Sequence, residues 1–326
     1  MTSASGMPEP GEAPPAVSVI IVNWNTRDML RGCLRSIADE TRSPHEVIVI
    51  DNASSDGSAA MVAEEFPEAV IVANRENKGF AAANNQGLAA ACGAHVLLLN
   101  PDTIVLDGAI DRMLAWLAAR PDVGCAGCQV MEDEKTVQRT CFADPGPLNT
   151  LIVETGLLRA FPGSALSDRP EYGGWDRGSA RDVDVVSGMF MLVPRSVLEK
   201  VGPLDEAFFI YSEEADWCRR IRDAGYRCAF TPEARVVHLD GGGKSTVQIR
   251  SRMYVQMQKS KLIYVRKHYG WTGHALTRAG FVATAALRGA VFSLASLAGG
   301  GDENRARVRL ARAALGYHLL GREPAA

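Results

Sequence analysis

Four short apolar runs, largely of β-branched residues, mark the first hundred positions: Val17–Val22, Val47–Ile50, Val70–Val72 and Val96–Leu99. Between them, Thr26–Ala38 places Met29, Leu30, Cys33, Leu34 and Ile37 at helical spacing. Ser58–Phe66, Gly79–Ala91 and Gly108–Arg120 read as further helices. Strands that are apolar throughout, rather than alternating, are buried on both faces. Where such strands alternate with helices the expected product is a parallel sheet with helices on both sides. The pattern predicts an α/β fold with a Rossmann-like, mainly parallel sheet flanked by helices.

The rhythm is lost over 131–182, a stretch rich in Pro, Gly and Asp with one apolar helix near Leu148–Leu158. Val183–Val193 reads as a strand beside the sheet. Helices follow near Arg195–Val201 and Glu213–Ala224, then short strands at Arg227–Phe230 and Val236–His238. From Lys244 onward the spacing is helical and predicts a C-terminal helical appendage. Within it, Ala279–Ala298 has spanning length but is built of Ala, Gly and Ser around Arg288. A central Arg costs roughly 2.5–3.5 kcal/mol on insertion, which weakly apolar Ala does not offset. The segment is therefore expected to pack on the body or lie in a membrane interface. The organisation predicted is a disordered leader at 1–16, one domain at 17–245 with halves 17–130 and 131–245, and a helical tail at 246–326.

Composition adds two points. In 326 residues the net charge is −3, with 47% hydrophobic and 22% charged positions, which argues against a disordered or polytopic membrane chain. The charge is uneven: residues 241–326 hold 14 Lys and Arg against three acids. A basic tail on an acidic body points to an anionic partner, either a membrane surface or a phosphate-bearing substrate, or else to a solvated helical surface. No basic platform interleaved with aromatics is present, so nucleic acid is not the expected partner. Seven cysteines without an apolar leader predict reduced thiols and a cytoplasmic site, and Cys125–Cys128 is read as small core residues.

In an open parallel sheet, ligands bind beyond the carboxyl ends of the strands. Here every such end is polar: Asn23-Trp24-Asn25, Asp51-Asn52 through Gly57, Asn74 with Asn77-Lys78-Gly79, and Asn100-Pro101-Asp102. No Gly-rich dinucleotide turn follows the first strand, and Gly241–Ser245 lacks the first glycine of a P-loop. A strand-end carboxylate can accept from a pyrimidine N–H or hold Mg²⁺ or Mn²⁺ against a diphosphate. It can equally cap a helix or shape a turn, the role expected of Asp56. A second cluster, Phe208–Arg220, brings Glu213, Glu214 and Asp216 to a helix start behind an aromatic run, with Ser212 as candidate cap. Partial desolvation there would favour a general base; the alternative is complementing the helix dipole, with Asp216 and Arg220 an i, i+4 pair. His238 closes the last strand and is either a metal ligand or structural.

Taken in order, these motifs resemble glycosyltransferase family 2 with the GT-A fold. They are most similar to the rhamnosyltransferase-like branch of bacterial cell-envelope polysaccharide synthesis. The resemblance spans roughly Val17–Ser245 and rests on Val17–Asn25, Val49–Gly57, Asn77–Asn85, Leu98–Asp102, Ser187-Gly188, Phe209–Arg219 and His238. It implies that Asp51 contacts the base, with Asn23 and Asn25 lining the nucleotide pocket and Lys78, Gly79 and Asn84 near the nucleoside or phosphates. Asn100-Pro101-Asp102 stands where the family carries its metal-binding acids, so Asp102 and His238 would hold Mg²⁺ or Mn²⁺. Ser187-Gly188 would border sugar and acceptor. Glu214, with Glu213 and Asp216 as alternatives, would be the catalytic base of an inverting transfer. The implied donor is a dTDP- or UDP-sugar, best matched by rhamnose. The implied acceptor is a saccharide or polyprenyl-linked saccharide, met by a peripheral enzyme on the inner face of the plasma membrane. A non-catalytic nucleotide-sugar or polysaccharide-binding module would keep Asp51 but need no base. A nucleotidyltransferase would want a Gly- and Lys-rich loop after the first strand, which Asn23-Trp24-Asn25 does not supply.

Overall fold

The computed structural model describes residues 14–133, 135–156, 161, 163–166, 168–239, 250–297 and 301–324. The first sixteen positions fall largely outside these residues, as does Gly241–Ser245. Two compact units are formed. One comprises 1–142, 175–209 and 213–245, and the other 143–174, 210–212 and 246–326.

The first unit is built on a nine-stranded mixed sheet. Strands β1 (Val17–Asn23), β2 (His45–Asp51), β3 (Val70–Ala73) and β4 (His95–Leu99) pair in parallel, in the order β3-β2-β1-β4. They are linked by α1 (Arg27–Glu40), α2 (Ser58–Glu65) and α3 (Phe80–Ala90), as the apolar rhythm predicts. Helix α3 reaches β1 closely because of Gly87: a Cβ there would lie 2.4 Å from Ile20 Cγ2. Asp56 serves two helix starts, accepting from the backbone N–H of Arg27 at 2.8 Å and of Ser58 at 3.0 Å. Burial opposes its charge, but these bonds and the Ser58 hydroxyl hold its carboxyl below the usual range.

Beyond β4 the order departs from the expected pattern. Strand β10 (Phe190–Pro194) inserts antiparallel between β4 and β6 (Val123–Met131). The predicted strand over 183–193 is three pieces: β8 (Arg181–Val183), β9 (Val185–Val186) and β10. β9 leaves the sheet to pair with β7 (Cys141–Phe142). The two short strands expected at 227–230 and 236–238 are one strand, β11 (Arg227–His238), with a register shift between Thr231 and Arg235. β11 pairs in parallel with β6 and antiparallel with β5 (Thr103–Val105) and β8. Helices α4 (Ala109–Ala118), α6 (Arg195–Val201) and α7 (Glu213–Asp223) complete the unit. The core gathers Val19, Ile21, Val49, Leu97, Leu99, Phe190 and Leu192 under Leu30, Ile37, Ile110 and Met113.

The second unit holds α5 (Pro147–Thr155), α8 (Arg250–Leu297) and α9 (Asp302–Leu320). α8 is interrupted at Gly270, whose φ of +69° is non-helical. The Arg288 that interrupts the apolar stretch is paired: its guanidinium reaches Glu154 Oε1 at 3.3 Å, and that oxygen also accepts from Tyr254 Oη at 2.6 Å and Gln258 Nε2 at 3.1 Å. Glu154 is 4% exposed. Removing one partner of such a buried cluster leaves charge uncompensated. Glu154→Leu is therefore expected to destabilise this unit by about 3–5 kcal/mol, read as a lower urea midpoint. The opposite side of the helix is open: Leu276, Leu287, Leu294 and Leu297 are all exposed. Among the described residues this is the one helix long and apolar enough to cross a membrane.

His318 is buried on α9, its Nε2 donating to Gln258 Oε1 at 2.9 Å. Burial, then the Arg278 charge, depress its pKa from 6.5 to about 4. The folded imidazole thus stays neutral where the unfolded one takes a proton. Stability from this group is full above pH 6.5 and is lost as pH falls toward 4. Thermal melts from pH 7 to pH 4 are expected to show an acid destabilisation that His318→Gln reduces.

Candidate functional site

The parallel pairing of β1 with β2 sets Asn23 directly beside Asp51. Asn23 is fully buried and Asp51 4% exposed. Asn23 Nδ2 donates to Asp51 Oδ1 and to Ser54 Oγ, each at 3.1 Å, and Thr26 Oγ1 donates to Asn23 Oδ1 at 2.6 Å. The Ser54 N–H donates to Asp51 Oδ2 at 3.1 Å. Asp51 is thereby locked at the strand tip, and each of its oxygens retains a second acceptor position. Asn25 takes a positive φ of 55° and ties the neighbouring loop, accepting from the Ser55 N–H at 2.8 Å while its own N–H donates to Ser54 Oγ at 2.9 Å.

A second network governs the loop after β3. Asn52 Nδ2 donates to Asn77 Oδ1 at 2.9 Å and to the Gly79 carbonyl at 3.2 Å, and Asn52 Oδ1 accepts from the Lys78 N–H at 3.0 Å. Asn74 donates to Asn52 Oδ1 at 3.1 Å. Lys78 is thus fixed by its backbone while its side chain remains exposed. Gly79 has φ +84°, and a Cβ there would lie 2.3 Å from the Phe209 carbonyl, which also accepts from the Phe80 N–H at 2.6 Å. Only glycine allows this approach. Asn84 lies on α3 with its amide turned to the Phe80 carbonyl at 2.9 Å. The sequence reading marks Asn74 and Asn77 as polar strand ends; the bridging role of Asn52 and the Ser54 hydroxyl has no local signal.

On the other side of β1, the Asn100 N–H donates to the Met189 carbonyl at 3.1 Å, and a Cβ on Gly188 would touch the Phe80 ring at 3.3 Å. Ser187-Gly188 therefore runs beside both Asn100 and the start of α3. Asp102 is met from the far edge. Antiparallel pairing of β5 and β11 aligns Thr103 with His238, and the Leu239 N–H donates to the Asp102 carbonyl at 2.9 Å. His238 Nε2 and Asp102 Oδ1 lie 3.1 Å apart, with side chains 3% and 16% exposed. Among the described residues, neither of these atoms nor His238 Nδ1 has a hydrogen-bond partner. Two buried atoms this close without a directed bond suit ligands sharing an ion, since neighbouring ligands at about 2.1 Å from Mg²⁺ stand about 3 Å apart. The oxygen and imidazole donor set also suits Mn²⁺.

Helix α7 opens with the acids. Glu213 is 3% exposed and Glu214 half-buried. Asp216 is fully buried and ion-paired with Arg220 at 2.9 Å; that Arg also donates to the Val201 and Pro203 carbonyls at 2.6 and 2.7 Å. Ser212, expected as a cap, sits at φ +69° after Tyr211 at φ +71°. It is in the left-handed region, not the extended conformation a serine cap normally adopts.

Cys125 groups with Cys218 and Cys228, not with Cys128: the three sulfurs lie within 4.8 Å of one another and are buried. An odd spacing along β6 turns Cys125 and Cys128 to opposite faces. Thiols favour soft ions, so this cluster is no alternative centre for Mg²⁺ or Mn²⁺.

Residues 14–258 match the family described as Glycosyltransferase like family 2. Among curated proteins, the chain is 25% identical over 269 residues to the N-acetylglucosaminyl-diphospho-decaprenol L-rhamnosyltransferase of Mycobacterium tuberculosis (strain CDC 1551 / Oshkosh), covering 78% of this chain and 85% of that protein. It is 26% identical over 242 residues to the O-antigen biosynthesis protein RfbC of Myxococcus xanthus, covering 72% of this chain and 18% of that one. Among solved structures, a mannosyltransferase of Pyrobaculum calidifontis in complex with GDP-Man and Mn²⁺ superposes with TM-score 0.52 at 20% identity, over 96% of this chain and 91% of that one. GalNAc-T7 with UDP, GalNAc and Mn²⁺ gives 0.55 at 15% identity, over 78% and 48%. The fold is that of GT-A glycosyltransferases.

Proposed function

The chain belongs to glycosyltransferase-like family 2, and on that premise we propose that it is an inverting transferase moving a hexose, rhamnose by preference, from a dTDP- or UDP-sugar to a lipid-linked saccharide. The observation that carries the reading is the buried 3.1 Å approach of Asp102 Oδ1 and His238 Nε2 at the strand edge, with no other polar partner for either atom among the described residues. Rhamnose and the lipid-linked acceptor are supported by the name of the mycobacterial relative. Contact with the cytoplasmic face of a membrane is supported by the basic tail and the open apolar side of α8.

In this reading Asp102 and His238 hold Mg²⁺ or Mn²⁺, which when bound supplies positive charge to the nucleoside diphosphate. Asp51, oriented by Asn23 and Ser54, accepts from the pyrimidine N3–H. Lys78, held by the pinned backbone of the Asn77–Gly79 loop, offers its exposed ammonium to the donor sugar nucleotide. The Glu214 carboxylate takes the proton from the acceptor hydroxyl as that oxygen bonds to the anomeric carbon. The bond from that carbon to the diphosphate oxygen breaks, and configuration inverts. Asp216, enclosed and paired with Arg220, anchors α7 to the turn at 201–203 and keeps the helix start in place.

A thermal-shift screen of nucleotide sugars with and without Mn²⁺ tests this. A donor at 100 times its dissociation constant adds about 2.7 kcal/mol of stability. dTDP-rhamnose is expected to raise the melting temperature, more so with Mn²⁺. No shift from any nucleotide sugar would end the proposal.

A further inference from the structure

Three thiols from three elements of the first unit meet at one point. Cys125 on β6 and Cys228 on β11 are direct partners in the parallel pairing, so both project from the same face of the sheet. Cys218, midway along α7, comes down onto that face. All three are free thiols, their sulfurs lie within 4.8 Å of one another, and each residue is at most 1% exposed. Three thiolates at about 2.3 Å from a common soft ion, in a trigonal plane, stand about 4.0 Å apart. The sulfurs already lie within reach of that spacing.

The surroundings favour negative charge on one sulfur. Burial opposes charge on Cys218, but the Cys125 and Cys228 thiols and the Val186 N–H, 3.5 Å away, hold its pKa well below that of an ordinary thiol. The positive charge of Arg222, which also pairs with Asp184 at 3.4 Å, acts in the same direction on Cys218 and on Cys228. Burial pushes the Cys125 thiol up. The cluster is thus arranged as a thiolate at Cys218 beside two thiols. A thiolate is the form that ligates metals.

The donor set then selects the ion. Sulfur alone excludes hard ions such as Mg²⁺ and Ca²⁺ and leaves Cu(I) and Zn²⁺ as the common candidates. Structural Zn²⁺ takes four ligands, and among the described residues no His, Cys or carboxylate joins these three. With the sulfurs buried, no open side lets water complete a tetrahedron. Cu(I), a soft closed-shell ion, is satisfied by three sulfurs in a plane.

We propose that Cys125, Cys218 and Cys228 form a trigonal binding site for Cu(I). Three Cu–S bonds form, the S–H bonds of Cys125 and Cys228 break, and their two protons pass to solvent. Copper stays cuprous throughout, so no electron is transferred. The bound ion ties α7 to β6 and β11. The site stands on the thiol geometry and does not depend on the transferase reading.

The full chain, reduced and under nitrogen, is titrated with Cu(I) against the coloured chelator bathocuproine disulfonate. Because the site is enclosed, copper is supplied both to the native protein and during refolding from urea. One equivalent is expected to be withheld from the chelator. Cys125→Ala, Cys218→Ala and Cys228→Ala are each expected to weaken retention by about 100-fold or more, with folding checked by circular dichroism. Cys92→Ala, at a thiol outside the cluster, is expected to leave it unchanged. X-ray absorption of the copper-loaded wild type needs no variant to fold: it is expected to show a first shell of three sulfurs at about 2.3 Å. Complete loss of copper from the wild type to the chelator would overturn the proposal. So would retention undiminished in all three cluster variants, a first shell containing nitrogen or oxygen, or Zn²⁺ held in preference to Cu(I).

Discussion

Glu214→Gln is expected to lower turnover by about 10²- to 10⁴-fold, the usual contribution of a general base, while leaving nucleotide-sugar binding unchanged. The substitution keeps the shape of the side chain and removes its capacity to take a proton. Three acids stand at the start of α7, and their surroundings separate them. Asp216 has no exposed surface and is committed to Arg220. Glu213 is 3% exposed. Glu214, half-buried, is on the proposed reading the member that meets a substrate hydroxyl. Single-turnover transfer, with donor affinity measured in parallel, makes the split visible: the rate falls and the dissociation constant stays. Wild-type turnover in Glu214→Gln, or the loss appearing only in Glu213→Gln, would move the base elsewhere.

The parts of this molecule that could be read in the sequence are those whose signal is local. β1 to β4 announce themselves because each is a continuous apolar run, and α1 because its apolar residues repeat at 3.6. The Asp216–Arg220 pair is legible for the same reason, being four residues apart on one helix. β6 is not, because after Val123 the run Gly-Cys-Ala-Gly-Cys128 carries no β-branched or aromatic side chain. Its glycines serve close packing: a Cβ on Gly124 would lie 2.7 Å from Ile221 Cγ2. The reversal at β10 is also silent, since an antiparallel neighbour and a parallel one need the same apolar residues. β11 reads as two strands because Pro232 and Glu233 interrupt the apolar run at the register shift. The pairing of Asp102 with His238 joins positions far apart in the chain through β5 and β11, and no periodicity carries that information. It came from resemblance in the order of motifs, whereas the asparagine network of Asn52, Asn74 and Asn77 is a product of the fold.

Asp102→Asn is expected to abolish Mn²⁺-dependent donor binding and to lower turnover by about 10²-fold or more, as loss of one charge-stabilising group typically does. The informative feature is what happens without metal. Asp102 Oδ1 and His238 Nε2 are 3.1 Å apart and lack a directed hydrogen bond among the described residues. If the pair is built to hold an ion rather than each other, neutralising the carboxylate costs the metal-free protein little, and Asp102→Asn should melt close to the wild type in a chelator. Adding Mn²⁺ with UDP should raise the melting temperature of the wild type and leave the variant unmoved, and titration followed by Mn²⁺ paramagnetic resonance should show binding lost. A purely structural histidine–aspartate pair gives the reverse. Breaking a satisfied bond costs about 1–3 kcal/mol in metal-free buffer, and the response to Mn²⁺ survives. The two outcomes differ on both measurements, so four melting curves, of wild type and variant with chelator and with Mn²⁺ and UDP, decide whether β5 and β11 meet to hold an ion or to hold each other.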